Sequence, residues 1–165
     1  MINYFTLFSL EPKYLIDIDE LERKYFALQM QYHPDRSIGM SESEKMLVSM
    51  RSADINDGYK TLSDDVERAN HLLEISSILV NKEKNNTYKP SQALLMEQME
   101  FRERASDIES GMENKAELLS HMEGEFSATQ KDFNNAYENK NLMEAAEAAM
   151  RLKYISKLKE ELERI

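Results

Sequence analysis

An all-α fold follows from three observations on the 165-residue chain. Gly and Pro are sparse, whereas Leu, Glu, Lys, Met and Ala are plentiful, a composition that favours helix over strand. Apolar residues recur at steps of three and four, the spacing of one helix face rather than the alternation of a strand. Polar breaks carrying helix stop and start chemistry separate these segments. The expected architecture is an N-terminal antiparallel helical hairpin with short flanking helices, followed by a C-terminal three-helix bundle.

The elements follow in order. A short helix is expected near Tyr4–Leu10, then a longer one from about Asp19 to Tyr32, carrying Leu21, Tyr25, Leu28 and Tyr32 at helical spacing. Pro34 lacks an amide hydrogen and disfavours helical geometry at His33, so this helix stops within Gln31-Tyr32-His33-Pro34-Asp35-Arg36. His33 and Asp35 then sit on a tight interhelical loop, where side chains are presented to partners rather than packed away. Ser41 and Glu44 make an S-x-x-E capping box for a third helix, to about Leu62. Its stripe is Val48, Ile55, Tyr59 and Leu62, and Gly58 within it should cost roughly 1 kcal/mol relative to Ala. A short fourth helix runs from about Asp65 to Ile75. The polar run 81–90, ending in Pro90, reads as a boundary or equally as an ordered loop held against one domain, and the boundary is the reading adopted. The expected organisation is 1–76, a linker at 77–90, and 91–165.

Three long helices are expected beyond Pro90, at about Ser91–Ser110, Met112–Asn139 and Leu142–Arg164. The second has Leu119, Met122, Phe126, Thr129, Phe133 and Ala136 on one stripe. The third has Ala145, Ala148, Ala149, Leu152, Ile155 and Leu162. One-sided helices joined by short loops pack as an antiparallel bundle. The first of the three has an apolar face too many. At 100° per residue Leu94, Phe101, Ala105, Ile108 and Met112 fall within about 60° of arc, enough for a core face. Leu95, Met96 and Met99 fall roughly 100–200° around, beside Glu100, Glu103 and Asp107. The same geometry sets Tyr154 off the core stripe of the last helix, on a side shared with Met143 and Met150. Such residues could dock on the N-terminal part. The sharper expectation is a partner-binding patch, adaptable through its thioethers and oriented by its acids.

Composition bounds the function classes. The net charge of −10 argues against nucleic acid as the main partner, because phosphate binding needs a local Lys/Arg excess. No apolar run is long enough to cross a bilayer, and the opening Met1-Ile2-Asn3-Tyr4-Phe5 lacks the pattern of a secretory or transit peptide. Cysteine is absent, which excludes disulfides and thiolate metal sites and suits a reducing, cytoplasmic setting. His33, His71 and His121 show no metal-ligand spacing, so no metal and no cofactor is expected. An acid–base role for His33 and Asp35 would require a pocket and an orienting third group. No nucleophile motif or Gly-rich phosphate loop supplies one, and the chain is not expected to be an enzyme.

Residues 1–75 resemble the J-domain family. His33-Pro34-Asp35 is flanked by helices, and Ala53-x-Ile55-Asn56-x-x-Tyr59-x-x-Leu62 matches that family's third helix. The opening Tyr4-Phe5-Thr6-Leu7-Phe8-x-Leu10 and the later Leu95-Met96-Glu97-Gln98-Met99-Glu100-Phe101-Arg102-Glu103 narrow the match. With Arg151-Leu152-Lys153-Tyr154-Ile155-x-Lys157-Leu158, they resemble the HscB family, the J-type co-chaperones of iron–sulfur cluster assembly. The resemblance implies an L-shaped molecule that stimulates the ATPase of a DnaK/HscA-type chaperone and delivers an IscU-type cluster scaffold protein to it. His33, Pro34 and Asp35 would carry the stimulation, with Arg23, Lys24 and Arg36 contacting an acidic chaperone surface. The scaffold would meet Leu95, Met96, Met99, Glu100, Glu103, Asp107 and Tyr154. Two departures stand out. Gln29-Met30-Gln31 replaces the more basic run usual before the His-Pro-Asp loop, so steering should be weaker and Met30 adds apolar contact. The cysteine-rich zinc module of some eukaryotic relatives is absent. The alternative is a J-protein of another class that delivers general unfolded clients, although no Gly/Phe-rich module is present.

Overall fold

A computed structural model describes residues 1–76 and 88–165, and all helices and turns below lie within them. The chain divides into two compact units, Met1–Ile75 and Ser76–Ile165. Most of the expected linker, residues 77–87, lies outside the described residues.

In the first unit, α1 spans Tyr4–Leu7, α2 Ile18–Gln31, α3 Glu42–Ser63 and α4 Asp65–Ile75, with a 3-10 turn at Pro34–Ser37. Local chemistry sets the ends. The Asp17 carboxylate caps α2 by accepting from the amides of Asp19 and Glu20 at 2.9 and 3.2 Å. Ser41 caps α3 by accepting from the Glu44 amide at 3.2 Å, as the capping box requires. α1 stops at Leu7 rather than Leu10, because Ser9 turns the backbone to a φ of 53°. Phe5, Phe8, Tyr14, Leu21, Ile55, Leu62, Val66, Ala69, Leu72 and Leu73 form the core.

The hairpin α2/α3 is joined by stacked Tyr25 and Tyr59 rings, 4.1 Å between centroids. The Tyr25 hydroxyl donates to Asn56 Oδ1 at 2.9 Å, and Gln29 Nε2 donates to that hydroxyl at 2.6 Å. These contacts give the Asn56-x-x-Tyr59 spacing its physical reason. Gly58 allows α1 to approach α3, since a Cβ there would lie 2.8 Å from Tyr4 Cδ1 and 3.0 Å from Phe8 Cε2. Arg68 is buried and fully used. Its Nε donates to the Tyr14 carbonyl (2.7 Å), Nη1 to the Leu62 carbonyl (2.8 Å) and Nη2 to Asp65 (2.7 Å). His71 Nε2 accepts from the Tyr4 amide at 3.0 Å, its ring stacking on Tyr4.

The second unit packs α5 (Gln92–Ser106), α6 (Lys115–Glu138) and α7 (Leu142–Glu163). Two boundaries differ from expectation. α5 ends four residues early, because the Asp107 carbonyl accepts from the amides of Met112 and Glu113 across a turn with Gly111 at φ +79°. α6 begins at Lys115 because Asn114 caps it, accepting from the Glu117 amide at 3.1 Å. Met112, expected in the core face, is therefore outside both helices and exposed. On α6, Leu118 is fully buried in place of Leu119, which packs at the core's edge.

Candidate functional site

Two surfaces carry the candidate residues, one in each unit. In the first, Pro34 stops α2, and the chain turns through the 3-10 segment that follows. His33 caps that segment. Its Nδ1 accepts from the Asp35 amide at 3.2 Å and lies 3.5 Å from Asp35 Oδ2. The two side chains remain 57% and 88% exposed, so the turn is built from its own backbone and hides neither group. The Ser37 hydroxyl donates to the Pro34 carbonyl at 2.5 Å, and the Arg36 amide to the His33 carbonyl at 2.9 Å.

The flanking cations divide. Arg23 and Arg36 are exposed. Lys24 is not a free cation: its Nζ donates to the Ser9 carbonyl at 2.9 Å and lies 3.1 Å from Glu20. The turned backbone at Ser9 offers that carbonyl to a side chain one helical turn beyond Glu20. α2 also exposes Phe26 and Met30, which with Arg23 follow steps of three and four on one helix face. Phe26 went unremarked in the sequence reading, although this spacing carries its signal.

In the second unit, Leu95, Met96 and Met99 are 46%, 64% and 71% exposed, with Glu100 and Glu103 exposed beside them. Leu94 and Phe101 of the same helix are buried against α6 and α7. Asp107 lies at the end of α5, half-buried, with its backbone spent on closing the turn.

Tyr154 corrects the helical-wheel expectation. It is only 8% exposed and belongs to the core with Leu94, Phe101, Ile155 and Leu158. α7 is flanked by both α5 and α6, so it buries Tyr154 and Leu158 on one side as well as Leu152 and Ala149 on another. A single stripe underestimates the buried arc of a helix with two neighbours.

The phenol hydroxyl of Tyr154 donates to Glu97, and Glu97 is clamped by Arg151, whose Nε and Nη2 reach its two oxygens at 2.9 and 2.5 Å. Arg151 also donates to Glu125 and to the buried hydroxyl of Thr129, both on α6. Burial pushes the Glu97 carboxyl up, but hydrogen bonds from Arg151 and Tyr154 and the guanidinium charge outweigh it and leave it below the usual range. Burial and then the Glu97 hydrogen bond push the Tyr154 phenol up. The bidentate clamp therefore stays ionised and fixes the rotation of α5 about its axis. That rotation is what leaves Leu95, Met96 and Met99 facing water. A second tie acts at the start of the helix, where Glu147 accepts from Tyr88, from the Ser91 hydroxyl and from the Ser91 amide at 3.3 Å.

Among the described residues, the polar contacts of the His33 ring are with Asp35 of its own loop. Among the described residues no cluster of three His, Cys, Asp or Glu side chains could hold a metal ion. No described helix is long and apolar enough to cross a membrane.

Known proteins match this chain in sequence and in fold. The family model of the HSCB C-terminal oligomerisation domain matches residues 90–163. A co-chaperone protein HscB homolog of Shewanella loihica is 35% identical over 170 residues, spanning 99% of this chain and 96% of its own. Chaperone HscB from Vibrio cholerae superposes with a TM-score of 0.84 at 30% identity, covering 99% of this chain and 96% of that one. Human co-chaperone HscB gives 0.86 at 25% identity, covering 99% and 82%. A partly buried clamp that turns an apolar ridge outward and an exposed His-Pro-Asp turn thus occur in a chain that belongs to the HscB family of co-chaperones.

Proposed function

We propose that this chain is a cytoplasmic co-chaperone of iron–sulfur cluster protein maturation. Through the turn at His33, Pro34 and Asp35, with Arg23 and Arg36 beside it, it stimulates ATP hydrolysis by a DnaK/HscA-type chaperone. Through Leu95, Met96 and Met99, fringed by Glu100, Glu103 and Asp107, it holds an IscU-type scaffold protein. Tyr154 contributes from beneath, as the partly covered wall against which that ridge is set. Lys24 contributes by anchoring α2 rather than by reaching a partner.

The observation that carries this reading is the pairing, in one chain, of an unpacked His-Pro-Asp turn with a rigidly oriented apolar ridge. Thioether and aliphatic side chains held outward by an ionic clamp cost solvation that a solitary domain has no reason to bear. Their acidic border sets orientation more than affinity. Tethering a cargo surface to a stimulating surface raises the local concentration of cargo at the chaperone.

The test is the ATPase rate of a DnaK/HscA-type chaperone with this chain, with an IscU-type scaffold, and with both. Stimulation by both together should exceed the sum of the separate effects. His33→Gln should lower stimulation by at least about tenfold, the consequence of losing roughly 1.4 kcal/mol of productive contact, while scaffold binding persists. Leu95→Ala with Met96→Ala should remove the scaffold-dependent increment. If the scaffold adds nothing while unfolded clients do, the chain is a J-protein of another class.

A further inference from the structure

The ridge on α5 borders a groove of about 280 Å³ between α5 and α7. Leu94 and Tyr154 form part of its floor, and Gln98, Arg102, Lys153 and Lys157 line its sides. No carboxylate lines it. That is unexpected in a chain with 31 acidic and 21 basic residues. Lys153 and Lys157 are four residues apart on one helix, an arrangement in which like charges repel. Both are exposed, and among the described residues neither forms an ion pair. Arg102 has only a distant partner, Glu161 at 3.9 Å, with both side chains about half exposed.

The groove is continuous with the ridge. Arg102 lies about 20° from Leu95 around the α5 axis, and one turn beyond Met99. On the far side of Met96 the same helix is acidic, at Asp107 and Glu100, with Glu103 between Met99 and Met96. The ridge is therefore flanked by opposite charges, acids on one side and three cations on the other. Covering the Tyr154 ring would need only the aliphatic stems of the lysines. Grouping their heads with Arg102 around an apolar floor leaves a site with positive potential, which Glu161, 3.9 Å from Arg102 and half exposed, offsets only in part.

We infer that the groove lined by Arg102, Lys153 and Lys157 receives an acidic segment of the same scaffold protein that covers Leu95, Met96 and Met99. The occupant's chemistry is a carboxylate presented beside an apolar side chain. The carboxylate meets the three cations, and the apolar group rests on Leu94 and Tyr154. The inference rests on the ridge being the scaffold site. It adds register, because a surface that is negative at one edge and positive at the other accepts a complementary partner in one direction only. It also gives Tyr154 a function compatible with its burial, as the floor of this groove.

The experiment measures the Kd of the full chain for an IscU-type scaffold by calorimetry, at low and at high salt. Lys153→Gln with Lys157→Gln should weaken binding by about tenfold at low salt, and the gap from wild type should narrow as salt screens the lost attraction. Lys131→Gln with Lys140→Gln, which removes the same charge from exposed positions outside the groove, should leave Kd unchanged. Lys153→Arg with Lys157→Arg should retain binding, so the charge itself remains on trial even if the Gln pair unfolds. Equal weakening by the two Gln pairs would assign the effect to bulk charge and overturn the inference. Wild-type affinity in the Lys153/Lys157 pair, alongside weakened binding in Leu95→Ala with Met96→Ala, would overturn the groove and spare the ridge. No loss in the Leu95/Met96 pair, or no scaffold binding by the wild type, would remove the ridge reading and the groove with it.

Discussion

Replacing Tyr154 separates a buried wall from a contact that merely touches a partner. The side chain is 8% exposed and packs among Leu94, Phe101, Ile155 and Leu158, with the Phe101 ring 6.4 Å away between centroids. Truncating so large a buried aromatic to Ala typically costs about 3–5 kcal/mol, through lost transfer energy and the cavity left behind. The hydroxyl is a smaller part. In Tyr154→Phe the ring stays and Glu97 keeps both bonds from Arg151, so the loss is one hydrogen bond to a charged group, about 1.5–3 kcal/mol. Urea unfolding of the full chain, followed by helical circular dichroism, reads both. With a slope of about 1–3 kcal/mol per molar, Tyr154→Ala should move the midpoint of the C-terminal transition down by more than about 1 M. Tyr154→Phe should move it by less. A midpoint for Tyr154→Ala equal to wild type would refute the reasoning, since a pure surface contact can be removed without loss of stability.

Two further outcomes concern the first unit. Gly58→Ala gains about 1 kcal/mol of helix propensity, but sets a Cβ 2.8 Å from one ring and 3.0 Å from another, and overpacking costs about 1–3 kcal/mol. Net destabilisation of about 1 kcal/mol is expected, and a rise in melting temperature would contradict it. For His71, burial holds the imidazole below its ordinary 6.5, only partly offset by Glu74. The unfolded chain therefore binds the proton more readily, and stability rises with pH across that range. His71's contribution should be fully present above about pH 6.5 and lost as pH falls through the depressed folded value. Protonation would also place a hydrogen on Nε2, the atom that accepts from the Tyr4 amide. The protection factor of the Tyr4 amide, its exchange rate relative to the intrinsic rate at each pH, should fall on mild acidification, and unchanged protection from pH 7 to 5 would exclude this account.

Features governed by neighbours in the chain were legible in the sequence. Pro34 stops α2 by its own sterics, and Ser41 and Glu44 start α3 within four residues of each other. The second face of α5 was also legible, because 100° per residue places Leu95, Met96 and Met99 away from Leu94 and Phe101 whatever the partner helices are. The misses were tertiary. Glu97 and Arg151 are 54 residues apart, so nothing local marks them as a clamp. Tyr154 is buried because α7 has neighbours on two sides, a fact absent from its own periodicity. Met112 kept the step of the core face, but Gly111 and Asn114 imposed a turn that outweighed it. Nor does anything local show that the Lys24 ammonium reaches the carbonyl of Ser9, 15 residues earlier in the chain.

The cap made by His33 fixes the hydrogen of its own ring. Nδ1 receives the Asp35 amide hydrogen, so in the neutral imidazole that nitrogen is the bare one and the proton resides on Nε2. Whatever docks at this bend is met by an N–H and must bring a lone pair, with no acceptor from this ring on offer in return.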